Sequence, residues 1–254
     1  MDRDDVSSMS GADKQDMHKL IYHLSHDLRN PLVNMYALLN DMKSMLTEAE
    51  AGRQAVLKNE MPETLKLFEQ SVSRMSEMIS GTNEIYHCMF DELQCEAVDV
   101  QQLVERVVNR FEDRLSNIEV SLGPLSDIWA DPLALARVVE QLVDNGVNSM
   151  LPAGGKLSIT VQGGDDSRTL VVSDTGGGLS KDDIKQIFLP FYTTKQGASG
   201  MGLAVVKAVT ESHGGRVRCE SEPGSGTAMY VTFPAVTASA GMEQTGHSNL
   251  SGRK

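Results

Sequence analysis

Asp131-Pro-Leu-Ala-Leu-Ala-Arg-Val-Val-Glu-Gln-Leu-Val-Asp-Asn145-Gly-Val-Asn-Ser-Met150 is the stretch from which the rest of the chain can be read. Aspartate suits a helix N-cap, where its carboxylate accepts from unpaired backbone N–H groups, and proline fits the first helical position. Val138, Val139, Leu142, Val143 and Val147 recur at helical spacing and define a core face. Asn145 falls at the border of that face, where an amide oxygen can reach a divalent cation.

A helix with one buried face needs a partner layer, and the flanking sequence supplies strands. Ile118–Leu122 and Ile128–Ala130 precede the helix. Leu157–Val161 and Thr169–Ser173 follow it, joined by a turn at Gly163-Gly-Asp-Asp166. Helices are expected over Gln101–Arg114, Lys181–Ile187 and Met201–His213, and closing strands over Arg216–Glu220 and Ala228–Phe233. Strands paired by turns, with helices grouped among them, predict an α/β sandwich.

Upstream of about Glu96 the pattern is helical throughout. One apolar stripe runs Ile21, Leu24, Leu28, Pro31, Met35, Leu38, Met42, Met45; a second runs Leu65, Phe68, Val72, Met75, Ile79, Thr82, Tyr86, Met89, Leu93. Alternating steps of three and four predict two long helices with coiled-coil-like seams, joined between Gly52 and Pro62. Two helices enclose little core, so pairing with a second copy into a four-helix bundle is the expected solution. The fold class is therefore α+β: an antiparallel two-helix hairpin forming a dimeric four-helix bundle, then an α/β sandwich. The expected limits are a disordered start over 1–13, a helical domain over 14–97, the sandwich over 98–235 and a disordered tail over 236–254.

Composition narrows the function classes. The 254 residues hold 35 Asp and Glu against 23 Lys and Arg, a net charge of −12, which disfavours a general nucleic-acid binder. A local phosphate site is compatible with that charge. Cys88, Cys95 and Cys219 are too few for a disulfide framework, and a reducing, cytoplasmic setting is expected. No apolar run approaches the ~20 residues that span a bilayer, so no membrane insertion is expected.

Two regions carry chemistry. In His23-Leu-Ser-His26-Asp27-Leu-Arg-Asn30-Pro31, the seam places His26 at the outward f position. An exposed imidazole beside a carboxylate can act as a nucleophile: Asp27 accepts the Nδ1 proton and Nε2 is left to attack. An isolated exposed His–Asp pair is more often only a solvated helix face, so the assignment needs the second region. There Asp174-Thr-Gly176-Gly-Gly178 follows an apolar strand, where glycines let the backbone approach a flat ligand and Asp174 offers an acceptor. Ser199-Gly200-Met-Gly202 opens a helix suited to phosphates, Lys195 just before it supplies a cation, and Gly224-Ser-Gly-Thr227 lies between the last strands. No GxxxxGK[ST] loop is present, which disfavours a Walker-type fold.

Taken in order, these motifs resemble the catalytic core of two-component sensor histidine kinases over about Asp16–Pro234. His26-Asp-Leu-Arg-Asn-Pro31 is similar to the H box, Asn145 with its flanks to the N box and Asp174-Thr-Gly-Gly-Gly178 to the G1 box. Phe188-Leu-Pro-Phe191 with Tyr-Thr-Thr-Lys195 resembles the F box, Ser199–Gly202 the G2 box, and Gly224–Thr227 the last glycine box.

The resemblance implies ATP and Mg²⁺ as cofactors, His26 as phosphoacceptor, Asp27 as adjacent acid/base, and Asn30 as an orienter of water in phosphatase-competent members. It implies Asn145 as the Mg²⁺ ligand and Asp174 as the adenine acceptor. Gly176, Gly178, Lys195, Gly200, Gly202 and Thr227 would complete the nucleotide site. The implied partners are a second copy of the chain, a response regulator whose aspartate receives the phosphoryl group, and a separate sensor protein. A catalytically weak ATP-binding scaffold that signals by conformation is the alternative. Gln141, Asn148 and Ala198 depart from the family pattern, which usually has Asn, a basic residue and Gly at these places.

Overall fold

Asp131 caps the central helix as its sequence predicts: its Oδ1 accepts from the backbone N–H groups of Leu133 and Ala134 at 3.0 and 3.1 Å. In the computed structural model that helix runs Pro132–Met150, with proline in the first turn. The structure describes residues 28, 31–47, 60–90, 92–164, 166–195 and 198–235. His26, Asp27 and Asn30, and the segments expected to be disordered, lie outside the described residues.

The elements in chain order are α1 (31–47) and α2 (Met61–Phe90), then β1 (Glu96–Val98), α3 (Val100–Arg110), a 3₁₀ turn (Glu112–Arg114), β2 (Ile118–Leu122), β3 (Ile128–Ala130) and α4 (Pro132–Met150). They continue with β4 (Gly155–Gly163), β5 (Ser167–Asp174), α5 (Lys181–Ile184), α6 (Gly202–Ser212), β6 (Arg216–Glu222) and β7 (Gly226–Pro234). The fold is α+β: long helices, then a mixed sheet with helices. The chain divides into two compact units, one formed by residues up to Phe90 with Gln186–Val205, the other by Asp91–Lys185 with the residues from Val206 onward.

The second unit holds a five-stranded sheet in the order β2-β4-β5-β7-β6. β2 pairs parallel to β4, and every other pairing is antiparallel. The parallel pair requires a crossover, and β3 with α4 provides it. β4 and β5 are a hairpin that turns at Gly163, as the Gly-Gly-Asp-Asp motif predicts. β1 pairs antiparallel with β3 in a separate two-stranded sheet.

The core lies between α4 and the sheet. Val138, Val139, Leu142, Val143 and Val147 are at most 1% exposed, and they meet Leu157, Ile159, Leu170 and Val172 of β4 and β5 in the buried set. Burying a Val or Leu side chain fully is worth about 1.5–3 kcal/mol relative to leaving it exposed. Gly146 sets the spacing of the layers: a Cβ there would lie 2.7 Å from Leu157 Cδ1.

In the first unit, α2 buries Thr64, Met78, Gly81 and Ile85, residues that share one helix face. Gly81 packs on Met201 of the 186–205 segment, and an added Cβ would stand 2.7 Å from Met201 Cβ. Glycine inside a helix costs about 1 kcal/mol relative to alanine. Here the close approach of Met201, which is 2% exposed, accounts for it.

Candidate nucleotide-binding site

Asp174 ends β5, directly opposite Leu157 on one side and Thr227 on the other. Its Oδ1 accepts two hydrogen bonds, from Ser149 Oγ at 2.8 Å and from the Gly176 backbone N–H at 2.8 Å. Both donors converge on one oxygen, so the carboxylate is fixed in orientation. Ser149 has a single proton, and Gly146 O lies 2.7 Å from the same hydroxyl. The charged acceptor forms the stronger bond.

Gly176 and Gly178 shape the backbone beside this carboxylate. A Cβ on Gly176 would meet Ser149 Oγ at 2.3 Å and Ser149 O at 2.7 Å, so no larger residue fits between α4 and β5. Gly178 has φ +67°, and a Cβ would collide with Glu222 O at 2.0 Å. The turn is tied at both ends: Gly177 donates to Ser149 O at 3.4 Å, and Gly177 O accepts from Gly224 N at 2.8 Å. Thr227 joins through Ser221. The Ser221 hydroxyl donates to Gly226 O at 2.7 Å, so in the 3.0 Å pair between Ser221 and Thr227 the threonine is the donor. Beneath the carboxylate, burial first and then the Asp174 charge push the Cys219 thiol up to about 11.

Asn145 is half-buried on α4, one turn before Ser149. Gln141 is one turn before Asn145, so the three present oxygen donors along one strip of helix. Among the described residues no group of three or more His, Cys, Asp or Glu is placed to hold a metal ion. Neutral amide oxygens beside a nucleotide cradle fit Mg²⁺, which is usually held by one or two protein groups plus substrate phosphates.

The structure thus gathers Asp174, Gly176, Gly178 and Thr227 around one turn, with Asn145 on the adjoining helix. Lys195, Gly200 and Gly202 belong to the segment that groups with the first unit. Lys195 is exposed, and its backbone N–H donates to Thr193 Oγ1 at 3.0 Å. Gly200 has φ +72° and would meet Phe191 C at 2.4 Å if it carried a Cβ. Phe191 itself has φ 67°, a left-handed conformation strained for an aromatic residue. Gly202 begins α6. Ser149 was missed by the sequence reading, although its place four residues after Asn145, on the same helix face, was available as a signal.

Residues 130–237 match the model of the family described as histidine kinase-, DNA gyrase B-, and HSP90-like ATPase. Those residues are similar to that ATPase family, and the chain is similar in sequence to sensor histidine kinases. It is 27% identical over 217 residues to Sporulation kinase E of Bacillus subtilis, covering 83% of this chain and 28% of that protein. It is 28% identical over 245 residues to the signal transduction histidine-protein kinase/phosphatase MprB of Mycolicibacterium paratuberculosis, covering 92% of this chain and 45% of that one. The chain therefore spans less than half the length of these relatives. The same fold occurs in the histidine kinase ThkA in its complex with the response regulator protein TrrA, at a TM-score of 0.65, 20% identity, and coverage of 86% of this chain and 61% of that one.

Proposed function

We propose that this chain is an ATP-dependent protein histidine kinase acting in two-component signalling. The observation that carries the reading is the Asp174 carboxylate, held by Ser149 and Gly176 over a glycine turn that side chains would block. That arrangement suits a flat base with an exocyclic amino group. On this reading Asp174, Gly176, Gly178 and Thr227 bind adenine and its surroundings, while Lys195, Gly200 and Gly202 supply the phosphate lid. Asn145 holds Mg²⁺ with Gln141 beside it, and the ion would offset charge on the transferring phosphoryl group.

His26 is the phosphoacceptor, attacking the γ-phosphorus in line through Nε2, with Asp27 taking the Nδ1 proton's hydrogen bond. The phosphoryl group then passes to an aspartate of a separate response regulator. Asn30, four residues on, orients water for the reverse, dephosphorylating step. The naming of one relative as a kinase/phosphatase and the solution of another fold neighbour with a response regulator support these roles. We place the domain limits near residues 91–98 and 235. A homodimer is supported by the apolar residues that the helices leave uncovered in the single chain. Leu32, Val33, Tyr36 and Leu39 of α1 are 42–69% exposed, and Leu65, Val72 and Ile79 of α2 are 43–48% exposed. No described helix is long and apolar enough to cross a membrane, and ATP and response regulators put the activity in the cytoplasm.

The test is incubation with ATP labelled on the γ-phosphate. The expected product is an acid-labile, base-stable label that His26→Ala abolishes while ATP binding persists. Label retained in that variant overturns the phosphoacceptor assignment, and ATP binding without any label identifies a scaffold instead.

A further inference from the structure

Arg114 stands at the end of the 3₁₀ turn, thirty residues before the face of α4 on which its guanidinium rests. Its Nη1 donates to Asp144 Oδ1 at 2.8 Å and its Nη2 to Asn148 Oδ1 at 2.8 Å. Asn148 Nδ2 closes the ring by donating to Asp144 Oδ2 at 2.9 Å. Phe111 lies against the same guanidinium, 5.4 Å from ring centroid to Cζ.

A half-exposed ion pair contributes little to stability and needs no second anchor. Here the fork is fixed in plane by two different side chains, while it remains 39% exposed. An arginine has five N–H donors, and two of them make these bonds. The others belong to a cation held in a set direction.

The two bonds place the guanidinium at the edge of the nucleotide face. α4 advances about 100° per residue, so Asp144, Asn148, Gln141, Asn145 and Ser149 follow one another across an arc of about 140°. Ser149 holds Asp174, and Asn145 is the proposed metal ligand. Asn148 sits between Asp144 and these residues, so the guanidinium that it anchors flanks the strip. The strip's own side chains, Gln141, Asn145, Asn148 and Ser149, are all neutral, and a nucleoside triphosphate brings several negative charges. Arg137 is on the same side of α4, but about 16 Å from Asn148 along the axis, and it pairs with Glu140 at 3.1 Å.

We propose that Arg114 is a phosphate-binding residue of this nucleotide site, meeting the outer phosphates of a nucleoside triphosphate. The proposal rests on the nucleotide-site reading above. Planar, bidentate donors are the usual means of gripping phosphate oxygens. Asp144 and Asn148 act as positioning residues for it.

The test is calorimetric titration of the full chain with Mg·ATP and, separately, with AMP. Arg114→Gln is expected to weaken ATP binding on the order of tenfold while AMP affinity and melting temperature stay close to wild type. Adding Asn148→Lys to that variant, which returns a cation to the same place, is expected to recover much of the loss. A folded Arg114→Gln with an unchanged ratio of ATP to AMP affinity overturns the proposal. Should Arg114→Gln fail to fold, Asn148→Ala decides: freeing Arg114 from one of its two anchors, with no change of charge, is expected to lower the ratio several-fold, and an unchanged or higher ratio overturns the proposal. A wild-type chain that binds neither nucleotide overturns the site itself. Binding of AMP with no preference for ATP overturns only the role of Arg114.

Discussion

Asp174 and Thr227 face each other across the β5–β7 ladder, although more than fifty residues of chain separate them. The pairing sets the carboxylate at the end of one central strand and the threonine at the start of the other. The sheet itself, rather than a loop, therefore fixes the distance between the two sides of the nucleotide turn.

Asp174→Asn is expected to keep the fold and weaken nucleotide binding on the order of tenfold or more. The amide oxygen can still take the bonds from Ser149 and Gly176. Its NH₂ group then points where Oδ2 was, donor against the amino group of adenine. Ser149→Ala removes only one of the two anchors and is expected to cost about 1 kcal/mol of stability, with a smaller, several-fold loss of affinity. Calorimetry and denaturant unfolding read both, and equal affinities for Asp174→Asn and wild type would refute the pocket.

Gly81→Leu tests the packing of α2. A larger residue is favoured by helix propensity by up to about 1 kcal/mol, but overpacking against Met201 costs roughly 1–3 kcal/mol. The expected net result is a lower melting temperature and faster proteolysis within 186–205. A higher melting temperature would show that the Met201 contact does not constrain this position.

Cys219 gives a pH signature. Its folded-state value is raised to about 11 from an ordinary 9.0, so above pH 9 the unfolded chain releases the thiol proton while the folded chain keeps it. Stability from this group is full below about pH 9 and is lost as the pH rises toward 11. Cys219→Ala should flatten that part of the stability curve, and alkylation of the folded wild type should be slow at pH 8. Rapid alkylation at pH 8 without unfolding would contradict the raised value.

Asn30→Ala is expected to leave His26 labelling and transfer intact and to lengthen the lifetime of the phosphorylated regulator, on the order of the 10²-fold that a misplaced reactant can cost. The lifetime is measured with and without the variant. Equal lifetimes would leave Asn30 no part in dephosphorylation.

The sequence made α4 legible to the residue, because Asp131-Pro132 is a start signal with its own chemistry and the apolar spacing of the helix is complete. β1 went unread: Glu96-Ala-Val98 carries no alternation, and only its pairing with β3 makes it a strand. The helix expected over 181–187 stops at Ile184. On α2 the apolar stripe through Leu65, Val72 and Ile79 remains over 40% exposed in the single chain, while the buried face runs through Thr64, Met78, Gly81 and Ile85. A threonine and a glycine carry no hydrophobic signal, so periodicity could not see that face. At the site, Asp174 and its glycines were visible as a local motif. Arg114 was not, because its place beside Asn148 is created by a contact across 34 residues of chain.

Because Gln186–Val205 groups with the helices while both of its flanks belong to the other unit, the chain passes between the units three times. The helical unit is therefore not a contiguous module. Cutting after Phe90 would separate Gly81 from the methionine that it accommodates. A chimaera that grafts these helices onto a foreign ATPase would have to bring residues 186–205 along, or redesign the α2 face that meets them.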